Sequence, residues 1–393
     1  MTNYPVLRLK PGKEKSLERK HPWVFSGALT EDIKAIPEGS IAEVHDINGR
    51  YMGTGYVQYG SIAVRIISFE QKPIDIDFWK AVINKAYKLR QSLNLFNSQT
   101  NCYRLMHGEG DGIPGLIIDM YAGTAVIQCH TSGIYLHLNS ISEALKNVLG
   151  DALVAIYDKS KETLHGSVEG AQNGVIWGDV QDGLVKENGL KFHVDWVSGQ
   201  KTGFFLDQRD NRALLGHYAK DKTILNTFAY TGGFSVYALA QGAKKVVSVD
   251  VSKHAIEVLN KNMALNIRGE QTFESYAEDT FQFFKRSHEL YDVVILDPPA
   301  FAKNIRARHN AIMGYKRLNA EGLKKVSPGG LLFTFSCSQV VDPETFLQTV
   351  YSAAIESGRD VKIVHRLTQP ADHPVSIYHP EGAYLKGLVL YVD

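Results

Sequence analysis

A chain of 393 residues with a formal net charge of +1 has room for two or three domains and carries no global field to draw in a polyanion. Its three cysteines, Cys102, Cys129 and Cys337, lack metal-type spacing and are too few for a disulfide framework, so a reduced, cytoplasmic setting is expected. The amino-terminal residues lack a signal-peptide core and no apolar run reaches eighteen residues, which argues against a membrane role.

Residues 4–72 read as a small β-rich module. Strand-like runs fall at Val6–Leu9, Ile41–His45, Tyr51–Tyr56 and Ile62–Ser68, with turn signals at Pro11-Gly12, Asn48-Gly49 and Gly60-Ser61. Short strands at this spacing suggest a barrel or half-barrel. Lys10, Lys13, Lys15, Arg19, Lys20 and His21 form a local basic run that leads into Trp23 and Phe25. Such a run can bind RNA backbone and stack on bases, or simply form a solvated turn beside a core tryptophan.

Asp77–Leu95 carries apolar residues at three- and four-residue spacing and reads as a helix. The segment His107–Gly115, HGEGDGIPG, supplies His107, Glu109 and Asp111 as conceivable metal ligands. A turn-rich hairpin connector explains it better, because no further ligand is spaced to close a site, and no metal is expected. Ala125–Cys129, Leu136–Leu149 and Ala152–Tyr157 then give strand, helix and strand. Val185–Val194 is a strand pair turned at Asn188-Gly189, a type I′ signal.

Val197–Arg212, VSGQKTGFFLDQRDNR, is a glycine- and serine-rich loop followed by a polar cluster ahead of a helix over Ala213–Tyr218. It reads either as capping with a surface salt network or as a lid over a ligand.

Thr223–Asp250, TILNTFAYTGGFSVYALAQGAKKVVSVD, organises the rest. Thr223–Phe228 is a buried strand, Thr231-Gly232-Gly233 a sharp turn, Phe234–Gln241 a helix stopped by Gly242, and Val246–Val249 a second strand tipped by Asp250. The layout suits a nucleoside cofactor, with a carboxylate placed to accept from ribose hydroxyls. The dinucleotide fingerprint GxGxxG lacks its first glycine here, since Phe228 and Tyr230 flank that position, so S-adenosylmethionine is the better match. A plain strand–helix turn is the competing reading.

Lys253–Asn266 is a helix, Phe273–Ala277 a strand, and Glu278-Asp279 opens a further helix through Phe284. An acid there can meet an adenine amino group or cap the helix. Tyr291–Phe301, YDVVILDPPAF, is an apolar parallel strand that ends in Asp297, where open α/β sheets place their ligands; Pro298-Pro299 stiffens its exit. Lys303, Arg306, Arg308, His309, Lys316 and Arg317 follow as a basic segment suited to phosphates. Leu331–Phe335 is another buried strand, with Cys337 just past its end between Ser336 and Ser338, on the turn where a thiolate could reach a substrate. Val361–Leu367 and Leu385–Tyr391 complete a sheet of about seven strands with an antiparallel last hairpin.

HPWVFSGAL (His21–Leu29), HGEGDGIPGLIIDMY (His107–Tyr121), VSGQKTGFFLDQRDNR, NTFAYTGGFSVYAL, LDPPAF and FSCS together resemble the bacterial class I ribosomal RNA cytosine-carbon-5 methyltransferases acting on the large subunit, over essentially the whole chain. The resemblance implies an α/β protein in three parts. These are a PUA-like RNA-binding β-barrel over residues 1–73, a middle α+β domain over 74–184, and a Rossmann-like methyltransferase domain over 185–393. It implies S-adenosylmethionine as cofactor and large-subunit ribosomal RNA as partner. It is compatible with a homodimer, for which the residues themselves give no basis.

Position by position, the resemblance places Gly232 and Gly233 at the methionine end of the cofactor with Phe228 and Tyr230 beside them, Asp250 at the ribose and Asp279 at the adenine. It places Gln200, Asp207 and Arg209 near the cofactor. Asp297 engages the target cytosine with Pro298, Pro299, Phe301 and Lys303 around it, and Cys337 is the nucleophile. Related RNA enzymes carry a second cysteine after the Asp-Pro-Pro; here Ala300 and Phe301 follow, so the group that removes the carbon-5 proton is unassigned. Two other readings stay open from the residues. A base-nitrogen methyltransferase needs no thiol, and an RNA-binding protein could keep the fold without catalysis.

Overall fold

The computed structural model describes residues 4–164, 168–180, 182–267, 269, 271–302 and 304–393. Chain contacts divide it into two compact units. The first holds Met1–Lys186, Val194–Leu206 and Ala371–Gly382; the second holds Glu187–His193, Asp207–Pro370 and Ala383–Asp393. No described helix is long and apolar enough to cross a membrane.

The first unit contains two five-stranded sheets. One is built from β1 (Val6–Arg8), β2 (Trp23–Phe25), β3 (Ile41–His45), β4 (Tyr51–Val57) and β5 (Ile62–Ser68), in the order β1-β3-β4-β5-β2, with the short helix α1 (Lys15–Glu18) between its first two strands. Alternating residues such as Leu7, Leu9, Val24, Val44 and Val64 fill its core. The expected strands are present; Trp23–Phe25 adds a fifth, and Lys15–Glu18 turns part of the basic run into helix. Helix α2 (Ile76–Ser92), capped by Asp75, leads to the second sheet.

That sheet holds β6 (Cys102–His107), β7 (Leu116–Tyr121), β8 (Thr124–Cys129), β9 (Ala155–Asp158) and β10 (Gly174–Gly178), in the order β10-β9-β8-β7-β6. Helices α3 (Ser132–Tyr135), α4 (Leu138–Leu149) and α5 (Lys161–Leu164) accompany it, and Trp79, Ile83, Ile118, Ile127, Ile141 and Leu145 belong to one apolar core. β11 (Leu184–Glu187) and β12 (Leu190–His193) form the expected hairpin, turned on the left-handed pair Asn188 (φ 50) and Gly189 (φ 81).

The second unit is a doubly wound sheet. Its strands are β13 (Thr223–Thr227), β14 (Lys245–Asp250), β15 (Thr272–Ala277), β16 (Tyr291–Leu296), β17 (Val326–Ser336), β18 (Val361–Leu367) and β19 (Lys386–Val392), in the order β15-β14-β13-β16-β17-β19-β18. The pairs among β13–β17 are parallel; β19 runs antiparallel between β17 and β18. Helices α6 (Arg209–His217), α7 (Gly233–Ala240), α8 (Lys253–Asn266), α9 (Thr280–Arg286), α10 (Arg308–Leu323) and α11 (Pro343–Ser357) connect and cover it. Val293, Val294, Ile295 and Leu296 are essentially inaccessible, and full burial of each contributes roughly 1.5–3 kcal/mol. That burial holds β16 in the middle of the sheet and aims its carboxyl end, and those of its parallel neighbours, at one edge.

Candidate active site

The chain leaves β13 through a strained turn. Phe228 (φ 54) and Tyr230 (φ 47) both sit in the left-handed region, at a cost of roughly 1–2 kcal/mol each for residues with a β-carbon. Hydrogen bonds hold the turn. Asp250, half-buried at the tip of β14, accepts from the Tyr230 amide at 2.9 Å and from the Ser252 amide at 2.9 Å. Asn262 donates to the Thr231 carbonyl at 2.9 Å. Gly232 takes φ 84, and a β-carbon there would stand 2.7 Å from Leu259 Cγ. Beneath the turn, Asn226 donates to Ser235 Oγ at 2.8 Å, which shares a 2.7 Å bond with Ser248 Oγ. Among the described residues, Asn226 Oδ1 and Thr231 Oγ1 are buried without a partner, which leaves two polar atoms for a ligand to satisfy.

The polar cluster expected ahead of its helix is instead inside it. α6 starts at Arg209, and Arg209, Asn211 and Arg212 are buried. The reason is a second-unit ion-pair network around Glu187. Arg212 donates to both Glu187 oxygens at 2.9 and 2.7 Å, Tyr237 Oη donates at 3.1 Å, and Arg209 Nε stands 3.5 Å away. The Glu187 carboxylate holds the Arg212 guanidinium above its ordinary range despite full burial, which acts the other way. Asp207 accepts from Tyr384 Oη at 2.6 Å. A β-carbon on Gly233 would meet Arg212 Cδ at 2.9 Å, so Arg212 packs against the first residue of α7. Gln200 falls in the Val194–Leu206 stretch of the first unit.

Asp279 caps α9, its Oδ1 accepting from the amides of Phe281 and Gln282 at 3.0 and 3.1 Å. At the neighbouring edge, Leu296 of β16 pairs with Thr334 of β17, so Asp297 stands one residue past the paired end and Cys337 three. Both are half-buried. Pro298 is buried, Pro299 exposed, and Phe301 turns back to lie 4.5 Å from the Tyr315 ring on α10. Lys303 lies outside the described residues. Burial, with Cys337 and Asp297 acting in the same direction, pushes the Tyr315 phenol up to about 12. One phenol therefore feels both of the expected reactive groups.

Of the basic segment, Arg308 pairs with Asp342 and Lys316 with Glu356, while Arg306, His309 and Arg317 are exposed. In the first unit, Lys10, Lys13, Lys15, Arg19 and Lys20 are all exposed.

The metal ligands conceivable from the glycine-rich segment serve other ends. Glu109 accepts from Trp23 Nε1 at 2.9 Å, and Asp111 accepts two bonds from Arg90. Among the described residues His21, His379 and Glu381 bring ligand-type atoms within 4.8 Å of one another. The Trp23 amide donates to His21 Nδ1 at 3.2 Å, which puts the proton of a neutral ring on Nε2, the nitrogen facing Glu381 at 3.7 Å. Among the described residues both ring nitrogens of His379 are buried without a hydrogen-bond partner, and Glu381 stands 3.9 Å from its Nε2.

Lys386 escaped the sequence reading. It is buried at the start of β19 and donates to the carbonyls of Ser338 and Val341 at 2.6 and 2.7 Å. Its signal was present: a lone lysine opens the otherwise apolar strand KGLVLYV. Glu187 escaped as well, because its partner Arg212 is 25 residues away.

A glycine turn after the first strand of this sheet, an acid at the tip of the second and an Asp-Pro-Pro at the end of the fourth define a nucleoside-cofactor methyltransferase. The model of the S-adenosylmethionine-dependent methyltransferases matches residues 175–390, and that of PUA-like domains matches residues 7–69. The chain belongs to the S-adenosylmethionine-dependent methyltransferase family, and S-adenosylmethionine is its cofactor. It is 41% identical to the ribosomal RNA large subunit methyltransferase I of Alteromonas mediterranea, over 98% of each chain. It is 39% identical to the protein of that name from Tolumonas auensis, over 97% of this chain and 98% of the other. Among solved structures it resembles a methyltransferase-type protein complexed with SAH, at a TM-score of 0.85 and 23% identity, covering 99% of this chain and 100% of that one. Thr231 Oγ1 in the turn and Asn226 Oδ1 beneath it, both buried without a partner among the described residues, suit a ligand that carries an ammonium group.

Proposed function

We propose that this chain methylates carbon 5 of a cytosine in large-subunit ribosomal RNA, through a covalent bond between the base and Cys337. Relatives about 40% identical along the whole chain carry the ribosomal RNA large subunit name. The observation that carries the finer reading is the placement of Cys337 beside Asp297, on adjacent parallel strand ends at the ligand edge of the sheet.

Carbon 5 of cytosine is a weak nucleophile. The Cys337 thiolate adds at carbon 6 and makes carbon 5 enamine-like, while the Asp297 carboxyl, carrying a proton for this step, donates it in a hydrogen bond to N3 and so stabilises the charge that develops there. S-adenosylmethionine, when bound, supplies the electrophilic methyl group on its sulfonium. The carbon-5 proton then leaves, and Cys337 is expelled as the ring recovers its double bond. In this reading Gly232, Gly233, Phe228 and Tyr230 bind the methionine end of the cofactor, Asp250 the ribose, and Asp279 the adenine. Asp207 and Arg209 shape the same site from α6 and its approach. Pro298, Pro299, Phe301 and Lys303 receive the target base. Residues 1–73 serve as an RNA-binding module, residues 74–184 as a middle domain and residues 185–393 as the catalytic one. The exposed lysines before Trp23 would meet phosphates.

The test is tritium release from ribosomal RNA labelled at carbon 5 of cytosine, with wild type and Cys337→Ala side by side. Release by wild type that vanishes in the variant supports the reading. Methyl transfer without tritium release would sink it in favour of a base nitrogen, and no transfer to any RNA would leave a cofactor-binding fold alone.

A further inference from the structure

Lys386 stands opposite Ser336 where β19 pairs with β17, so it leaves the sheet at the strand end that carries Cys337. Its side chain is almost wholly buried, and burying an ammonium is costly unless it is paired. It donates to Ser338 O at 2.6 Å and to Val341 O at 2.7 Å. Those two carbonyls bracket the turn that follows Cys337. The same turn is tied down by Ser338 Oγ, which donates to Ala302 O at 2.8 Å. Among the described residues two of the three ammonium donors are thereby taken, and the charge stays beside the cysteine.

A neutral donor could satisfy two carbonyls. A cation in this place does something further, because the neighbouring charges work against a thiolate. Asp297, from the end of β16, brings a carboxylate into the same locality as Cys337, whereas Tyr315 of α10, its phenol raised to about 12, stays neutral. Asp342 caps α11, but its charge is shared with Arg308 at 2.9 Å. Among the described residues, Lys386, from β19, is a cation whose charge favours the ionised sulfur.

We propose that Lys386 is a positioning residue for Cys337, clamping its turn and holding the sulfur as thiolate while the thiol proton leaves to solvent. The proposal rests on the reading of Cys337 as the nucleophile. Burial pushes the Lys386 ammonium down to about 8, with Cys337 and Asp342 pulling it back up. Lys386 is therefore charged at neutral pH, and its help to the thiolate is present below about pH 8 and fades above it.

The experiment is alkylation of the full chain by iodoacetamide across a pH series, read at Cys337 by peptide mass spectrometry. The buried Cys102 and Cys129 are internal controls. Wild type is compared with Lys386→Met, Lys386→Gln and Lys386→Arg, each first checked by S-adenosylmethionine titration. The expected result is a rise of about one pH unit or more in the alkylation midpoint for Met and Gln, with Arg returning it toward wild type. Should the Met variant fail to bind the cofactor, the Gln variant, which keeps a donor, carries the comparison. A midpoint equal to wild type in a variant that binds the cofactor overturns the proposal. No RNA enters this readout. If the midpoint responds to Lys386 while Cys337→Ala still releases tritium, the coupling stands and the nucleophile reading falls. If the midpoint is indifferent while Cys337→Ala abolishes release, the reverse holds.

Discussion

Arg212 lies against Gly233 so closely that a β-carbon on the glycine would stand 2.9 Å from the arginine's Cδ. The arginine cannot easily withdraw, because Glu187 grips it at two points. Alanine at position 233 would gain up to about 1 kcal/mol of helix propensity and lose it again in displacing a buried ion pair. Gly232 is the harsher case. Its φ of 84 and its 2.7 Å approach to Leu259 Cγ both oppose a side chain. Gly232→Ala should therefore weaken S-adenosylmethionine binding more than Gly233→Ala, by at least about fivefold, which follows from a strain of roughly 1–2 kcal/mol. Calorimetric titration of both variants checks the order, and equal affinities would contradict it.

Glu187 is the hub of the same region. It is fully buried and accepts from Arg212 and Tyr237, with Arg209 alongside. Removing one partner of a buried pair strands the other, at a cost of about 3–5 kcal/mol. Glu187→Gln removes the anion that grips Arg212 at two points and should lower the denaturation midpoint strongly. Arg212→Met alone should do the same. Their combination should cost less than the sum, because neither member of the Glu187–Arg212 pair is then left facing a missing partner. A urea-melt double-mutant cycle measures the coupling, and additive losses would show the pair to be energetically idle.

These contacts mark where local sequence stops being informative. β13, β14, β16 and β17 are legible because each is a run of apolar or β-branched residues ended by a breaker or an acid. Asp297 and Cys337 are legible for the same reason, since a residue that ends a buried parallel strand has its position dictated by that strand. α6 is not legible at its start: Arg209–Arg212 reads as a polar loop until Glu187 is known to bury it. Trp23–Phe25 has only three residues and an exposed Phe25, too short for an alternation to show. Lys386 looks like a surface lysine in any window, because its two carbonyl partners come from a turn 45–48 residues earlier. Pairing at such range leaves no periodic trace.

Asp297 is the position at which cofactor binding and methyl transfer can be measured apart. It lies past the end of β16, whereas the glycine turn follows β13 and Asp250 ends β14. Asp297→Asn keeps size and can still donate a hydrogen bond to N3, but it cannot give up a proton to the ring. The expected outcome is a loss of methyl transfer to ribosomal RNA of about 10²–10⁴-fold, with S-adenosylmethionine affinity changed less than about threefold. Single-turnover transfer of a labelled methyl group, beside a cofactor titration, distinguishes the two effects. Transfer within a few-fold of wild type would remove Asp297 from the chemistry.

His107 gives the first unit a pH dependence of its own. Burial, with the positive neighbours His373, Arg104 and Arg90, holds its imidazole well below the ordinary 6.5. Arg104 donates to His107 Nδ1 at 3.0 Å, so the folded ring is neutral with its proton on Nε2. In the unfolded chain the same ring takes up a proton near its ordinary value. Above pH 6.5 both states are neutral at this site and its contribution is complete. As pH falls below 6.5, the unfolded chain binds a proton that the folded chain refuses, and stability drops until the lowered folded value is reached. The melting temperature of wild type should therefore fall between neutral and mildly acid pH. His107→Asn, which keeps a polar group beside Arg104 without a titrating ring, should flatten that part of the curve even if it lowers the curve throughout. A pH series of calorimetric melts on both proteins checks it, and parallel slopes would assign the acid sensitivity to other groups.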